Sequence, residues 1–277
     1  MSLLRSVRQR AERGYVSIVT SLSLQRFNQA LLHMALRAHG YGNTGSIENS
    51  GESCFLQRLR RERVGLCLDV GANRGEYTEQ LLQLCPQAQV IAFEPQPSVF
   101  NELEALARRY RGRLHAENVG VGANDGELDI YWGENSELAS FSPEVLAIGY
   151  VGRCNVNRSR VPVTTLDHYF AGPGRHWADR PITLLKIDTE GFEYEVLAGA
   201  QQTLRARPPQ YVQIEFNAHQ LYRNQTLYSL SRLLPDYTPY QMLPRSGGLR
   251  IAAADDPCSN LFLYSNFVFI RNADPIR

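Results

Sequence analysis

Lysine is almost missing from this sequence: Lys186 is the only one, against twenty-eight arginines. Base composition accounts for such a bias, so a lysine kept inside a motif points to a place where a compact ammonium serves and a planar guanidinium does not. An excess of either charge is missing too. The net charge is +1 with 21% charged residues, which speaks against a disordered polyelectrolyte and against an overall electrostatic footprint for nucleic acid. Paired cysteines are absent: Cys54, Cys67, Cys85, Cys154 and Cys258 are odd in number, widely spaced and form no C-x-x-C, which argues against a disulfide framework and a structural zinc. A reducing, cytoplasmic compartment is the expectation. Apolar runs long enough to span a bilayer are missing, as are the apolar stretch and cleavage site of a signal peptide.

What is present is a 43% hydrophobic chain able to bury a full core, organised as a helical arm over residues 1–50 and one domain over 51–277. Residues 1–64 carry a net +6 and the remainder −5. The arm shows Leu3, Leu4, Val7, Ile18, Val19, Leu22, Phe27, Leu31, Met34 and Ala35 at loosely helical spacing, two or so amphipathic helices. Its basicity reads as a solvated helix face, or as peripheral contact with anionic lipid or an anionic glycan carrier. The Gly, Asn and Ser-rich stretch 40–51 marks the join to the core.

From residue 64 short apolar runs alternate with helical periodicity, the pattern of a mostly parallel twisted sheet flanked by helices in a Rossmann-like α/β fold. Strands are expected at 64–70, 90–94, 114–122, 127–132, 161–170, 182–188 and 211–217, with terminal strands in 261–272. Helices are expected after the first two strands, and one runs from Phe192 through Leu204.

Ligands of open α/β sheets bind where the strands end, so the strand ends hold the candidates. The first run stops at Asp69, followed by Gly71, Asn73 and Gly75, without the middle glycine of a dinucleotide fingerprint. A carboxylate beside a glycine turn suits a cationic ligand end, such as the ammonium and sulfonium of S-adenosylmethionine (SAM), better than phosphates. An ordinary strand-to-helix turn is the bland alternative. Glu94 ends the second run, close to the interval of about 20 residues at which an acid accepts hydrogen bonds from ribose hydroxyls.

The segments LDVGANRGEYT (68–78), FEPQPSVFNEL (93–103), TTLDHY (164–169) and LLKIDTEGFEYEVLAGA (184–200) together resemble the FkbM family of methyltransferases. The resemblance covers most of 64–217. It implies a class I methyltransferase sheet, SAM as donor and methylation of a hydroxyl, often on a sugar or a polyketide-like product. Carried over by position, Asp69, Gly71, Asn73 and Gly75 line the methionine end, Thr78 is a further cofactor-binding residue, Glu94 takes the ribose and Asn118 the adenine side. No motif in residues 1–50 matches the family.

An alcohol acceptor needs alignment and a base. Asp188, two residues after Lys186 on the same strand face, is the first candidate for base or acceptor anchor, Glu190 the second, with Lys186 as electrostatic partner and His219 as an alternative base. A buried ion pair beside a helix start is the structural alternative. Asp188, Glu190 and Glu215 make an oxygen-rich set for magnesium, which nothing in their spacing demands. Asp167 and His168, read as adjacent strand residues, point apart and suit structure better than catalysis, while Tyr131, Trp132 and the loop 133–142 offer a platform for a sugar ring. The expected enzyme is thus a SAM-dependent O-methyltransferase acting on a glycan or small-molecule hydroxyl. A polyketide-like natural product is the second acceptor class. A catalytically degenerate binding module and an NAD-dependent oxidoreductase are the rivals from other classes.

Overall fold

In the computed structural model, which describes residues 2–42 and 47–272, short apolar runs form the parallel strands of the central sheet. β1 (Leu66–Val70), β2 (Gln89–Phe93), β3 (Leu114–Glu117), β7 (Ile182–Ile187) and β8 (Tyr211–Phe216) pair in parallel. β1 and β7 are buried along their whole length, because helices cover both faces. β9 (Tyr237–Met242), β10 (Leu249–Ile251) and β11 (Ser265–Arg271) complete the sheet, with β11 antiparallel to both β8 and β9. The order is β10-β9-β11-β8-β7-β1-β2-β3. A small second sheet, β4-β6-β5, is built from β4 (Gly120–Val121), β5 (Gly126–Trp132) and β6 (Asn157–Thr164).

The helices preceding the sheet are α1 (Ser2–Val19), α2 (Gln25–Ala38), α3 (Ile47–Ser50) and α4 (Glu52–Leu59). Those within it are α5 (Glu76–Leu84), α6 (Pro97–Arg109), α7 (Gly149–Cys154), α8 (Leu166–Ala171), α9 (Glu193–Ala198), α10 (Gln201–Ala206), α11 (Ala218–Tyr222) and α12 (Leu227–Arg232). One apolar layer gathers Leu68, Phe93, Ile187, Val196 and Phe267, the other Phe55, Leu81, Val90, Leu103 and Val268, so the sheet is sealed on both sides. Residues 43–46 of the join between arm and core lie outside the described residues. Tyr41 is buried with its hydroxyl on the Cys258 carbonyl, and Phe55, Leu56 and Leu59 of α4 are fully buried.

Three sequence expectations need correction. The run 161–170 is a strand only to Thr164: the Thr165 hydroxyl accepts the His168 N–H and starts α8, so Asp167 and His168 are helical. Asp167 instead accepts the N–H groups of Gln202 and Thr203, capping α10, and His168 faces Asp125 at 3.3 Å. The helix expected through Leu204 breaks into α9 and α10 at Gly199, which presses so closely on the Gly122 carbonyl that a Cβ would lie 2.0 Å from that oxygen. Within 261–272 only β11 is a strand; its neighbour β9, and β10 beyond it at the sheet edge, come from polar, alternating segments.

Candidate active site

Strand order reverses between β1 and β7, where the chain proceeds through β2 and β3 on one side and β8 on the other, and this is where open α/β sheets leave a crevice. A cleft of about 970 Å³ opens there. Its lining includes Gly71, Asn73, Glu94, Lys186, Asp188, Glu190, Glu215 and His219 among the expected residues. Asp69, Gly75, Thr78 and Asn118 are not part of that lining.

Gly71 owes its identity to the protein. Its φ is +82°, and a Cβ would lie 1.8 Å from the Asp188 carbonyl oxygen, so the loop after β1 rests on the end of β7. Gly75, with φ +86°, packs on Leu103 and Leu106 of α6. Gly71→Ala is expected to cost ~2–5 kcal/mol in urea denaturation, because backbone must move as well as adopt a strained φ. Gly112→Ala, at a similar φ of +81° with no atom within 4 Å of the added Cβ, is expected to cost only about 1 kcal/mol. Equal costs at the two sites would remove the close approach as the reason for Gly71.

At one end of the cleft Glu94 accepts the Asn73 N–H on Oε2 (2.9 Å) and the Gln96 N–H on Oε1 (2.8 Å). Each oxygen keeps a lone pair for a ligand hydroxyl. Asn118 donates to the Glu94 carbonyl (2.8 Å), bracing the strand end. Burial pushes the Glu94 carboxyl up, to about 7, against the pull of those two backbone N–H groups.

At the floor, Lys186 Nζ donates to Asp188 Oδ2 (2.9 Å), lies 3.9 Å from Asp69 Oδ1 and sits over the Tyr77 ring. Burial works against its charge, but Asp188, Asp69 and Glu52 outweigh it, so the ammonium is held above its ordinary range. Asp69 Oδ2 accepts the Thr78 hydroxyl (2.6 Å), while Oδ1 is buried without a hydrogen-bond partner. Burial raises the Asp69 carboxyl, with Lys186 opposing.

At the other end, His219 Nδ1 contacts Glu190 Oε2 at 2.6 Å, off the direction of a ring N–H bond, and its Nε2 has no hydrogen-bond partner. A capping box places this histidine: Asn217 accepts the His219 N–H, and Gln220 accepts the Asn217 N–H. Glu190 holds a φ of +52°, a strained conformation for a residue with a side chain. The loop that imposes it is tied by Glu193, which accepts the N–H groups of Thr189 and Gly191, and by Ser140, whose hydroxyl donates to the Glu190 carbonyl. Burial raises the Glu190 carboxyl against the pull of His219, and the pair's attraction raises His219 against its own burial.

Oxygens of Asp188, Glu190 and Glu215 lie within 4.8 Å of one another, near enough to converge on one hard cation. Burial, then Asp188 and Glu190, push the Glu215 carboxyl well above the ordinary carboxylate range. Of the expected sugar platform, the loop 134–139 lines the cleft, whereas Trp132 bonds Ser159 and Tyr131 carries the Arg158 guanidinium.

Sequence reasoning missed Glu52, Tyr77, Tyr150, Asn217 and Tyr264, all of which line the cleft. Glu52 is the most telling. It accepts the Ser50 hydroxyl (2.8 Å) and the Gln213 amide (2.7 Å), and Gln213 in turn accepts the Tyr77 hydroxyl (2.7 Å) beneath Lys186. Its one signal is an acid opening the helix that carries Phe55 and Leu56, which reads as a helix start and nothing more.

The residues fit SAM at the ribose, where the spare acceptor sites of Glu94 match vicinal hydroxyls, while Asp69 Oδ1, which has no hydrogen bond, already faces the Lys186 ammonium at 3.9 Å. A model of the methyltransferase FkbM domain matches residues 69–243. The 2-O-methyltransferase NoeI of Sinorhizobium fredii is 26% identical over 195 residues, covering 64% of this chain and 74% of that protein. The hexuronic acid methyltransferase AglP of Haloferax volcanii is 25% identical over 186 residues, covering 62% and 70% respectively. Among solved structures, the methyltransferase FkbM of Methylobacillus flagellatus is 21% identical with a TM-score of 0.44. That alignment covers 75% of this chain but spans only 44% of the other.

Proposed function

Because the chain belongs to the FkbM methyltransferase family and is a SAM-dependent methyltransferase, we propose that it methylates a hydroxyl oxygen of a sugar in a glycan or glycoconjugate. The observation that carries this reading is one cleft with Glu94 at one end, the Lys186–Asp188 ion pair at its floor and Glu190 against His219 at the other end. The two relatives, named for 2-O-methylation and for a hexuronic acid, lend support for a sugar acceptor.

When bound, SAM supplies an electrophilic methyl group on a sulfonium. Glu94 would hold the ribose through its spare acceptor sites, and Asp69, with Lys186, would set the charge behind the methionine end. Asp188, its Oδ2 engaged by Lys186, has Oδ1 left for the acceptor hydroxyl and takes its proton or holds it in line. Glu190 and His219 border the same space and keep the loop 188–191 in place. The loop 134–139, pinned through Ser140 and Ser142 to Glu190 and Gly191, narrows the cleft and limits water around the reacting oxygen.

The test is transfer of an isotopically labelled methyl group from SAM to a panel of neutral and acidic oligosaccharides, followed by alkaline treatment. Label in an alkali-stable methyl ether is the expected result. Label released by alkali would mean a carboxyl acceptor and a methyl ester. No transfer to any sugar, with transfer to a phenolic natural product, would replace the sugar as acceptor.

A further inference from the structure

We propose that the arm formed by α1 and α2 docks on the surface of a lipid bilayer rich in anionic headgroups. Neither helix contributes a residue to the buried layers of the body. The side-chain bonds that leave α1 run to α2: Tyr15 donates to Asn28, and Asn28 donates to the Val19 carbonyl. Apolar residues therefore stand in water. Val7 is 60%, Ile18 69% and Met34 60% exposed, and Phe27 and Leu32 are exposed as well.

These residues are patterned. At 100° per residue, Val7, Ala11, Tyr15 and Ile18 of α1 fall within one arc of about 80°, and Arg8 and Arg10 stand at its two edges. That is the layout of a helix lying in a membrane interface, with the stripe among the acyl chains and the cations at headgroup level. Arginine suits the edges: its apolar stem covers the stripe, and its planar fork bonds phosphate through two N–H groups.

Charge decides between a bilayer and a second copy of the chain. Residues 2–38 hold six arginines and one acid, Glu12, which is already bonded by Arg8. Pairing two arms would bring like charge together along their length, whereas an anionic surface attracts each arginine near it. The arm is also rooted beside the cleft: the Gly42 N–H donates to the Tyr264 carbonyl (2.8 Å), and Leu263 and Tyr264 line the cleft. A surface-bound arm thus holds one rim of the cleft near the headgroups, whatever the acceptor.

Sedimentation of the full chain with vesicles tests this. Equimolar phosphatidylglycerol and phosphatidylcholine vesicles are expected to bind it ~10-fold or more tightly than pure phosphatidylcholine, with the difference shrinking as salt is raised. The combined change Arg5→Gln, Arg8→Gln, Arg10→Gln, Arg13→Gln should remove most of that preference, and Val7→Ser with Ile18→Ser should weaken binding to the anionic vesicles by a similar factor. Both variants should bind S-adenosylhomocysteine like the parent, which shows that the body still folds. Equal binding to the two vesicle types, or no binding to the anionic ones, overturns the proposal. So does a dimer in solution that Val7→Ser with Ile18→Ser dissociates while vesicle binding stays unchanged.

Discussion

Glu94→Ala is expected to weaken S-adenosylhomocysteine binding by ~10–100-fold in calorimetric titration, the largest loss from any single change at the cofactor end. A hydrogen bond contributes ~0.5–1.5 kcal/mol net, and the ribose hydroxyls would make two, about 1–3 kcal/mol together. The alanine also releases the Asn73 and Gln96 N–H groups, so Glu94→Gln is the companion variant, keeping one carbonyl acceptor in place. It should fall between parent and alanine. Unchanged affinity in both would take the ribose away from Glu94.

The same carboxyl predicts a pH dependence whose sign differs between affinity and stability. Burial raises Glu94 to about 7 from an ordinary 4.5, so below pH 7 it is protonated and offers fewer acceptor sites. Affinity should therefore increase as pH rises through 7, and Glu94→Gln should flatten that profile. In the free protein the linkage runs the other way. A carboxyl whose folded value is raised destabilises the fold as pH climbs between 4.5 and 7, by up to about 1.4 kcal/mol per unit. The free protein should consequently gain stability at pH 8 from Glu94→Gln, and a loss there would contradict the cost assigned to its burial.

Asp188→Asn is expected to lower turnover by ~100–10,000-fold, while leaving S-adenosylhomocysteine affinity within about two-fold. The amide keeps the size of the side chain but accepts no proton, and it leaves Lys186 with Asp69 and Glu52 as its remaining anionic neighbours. A loss of turnover without a loss of affinity separates the reaction from binding. Should Asp188→Asn work normally while His219→Gln abolishes turnover, the base is His219, whose Nε2 lacks a protein partner.

How much of this was legible beforehand depended on sequence distance. Asp69, Glu94, Lys186 and Asp188 each end an apolar run, and carboxyl ends of parallel strands are where such a sheet meets its ligand, so position in the run was enough. His219 and Glu190 were noticed as separate residues. Their 2.6 Å contact depends on a capping box at α11 and a left-handed residue after β7, neither of which has a pattern that points to the other. Glu52 and Tyr264 stayed hidden because they reach the cleft from opposite ends of the chain. The misread segment 165–170 shows a local failure: its Thr and Tyr content favours strands, but the Thr165 side chain satisfies a helix N-terminus. β9 was overlooked because Pro239 and Gln241 broke the expected apolar run, although the strand is paired along its length.

The solitary lysine has one more consequence, for the chemist at the bench. The chain carries a single side-chain amine, 5% exposed, charged and clasped between two carboxylates over an aromatic ring. Acylating reagents attack neutral, accessible amines, so in the folded molecule this one is protected twice over. Any acyl group found at Lys186 after a brief pulse of reagent marks a moment when β7 and α5 had parted. The cleft thereby comes with its own opening counter, read at one peptide with no other lysine to contribute background.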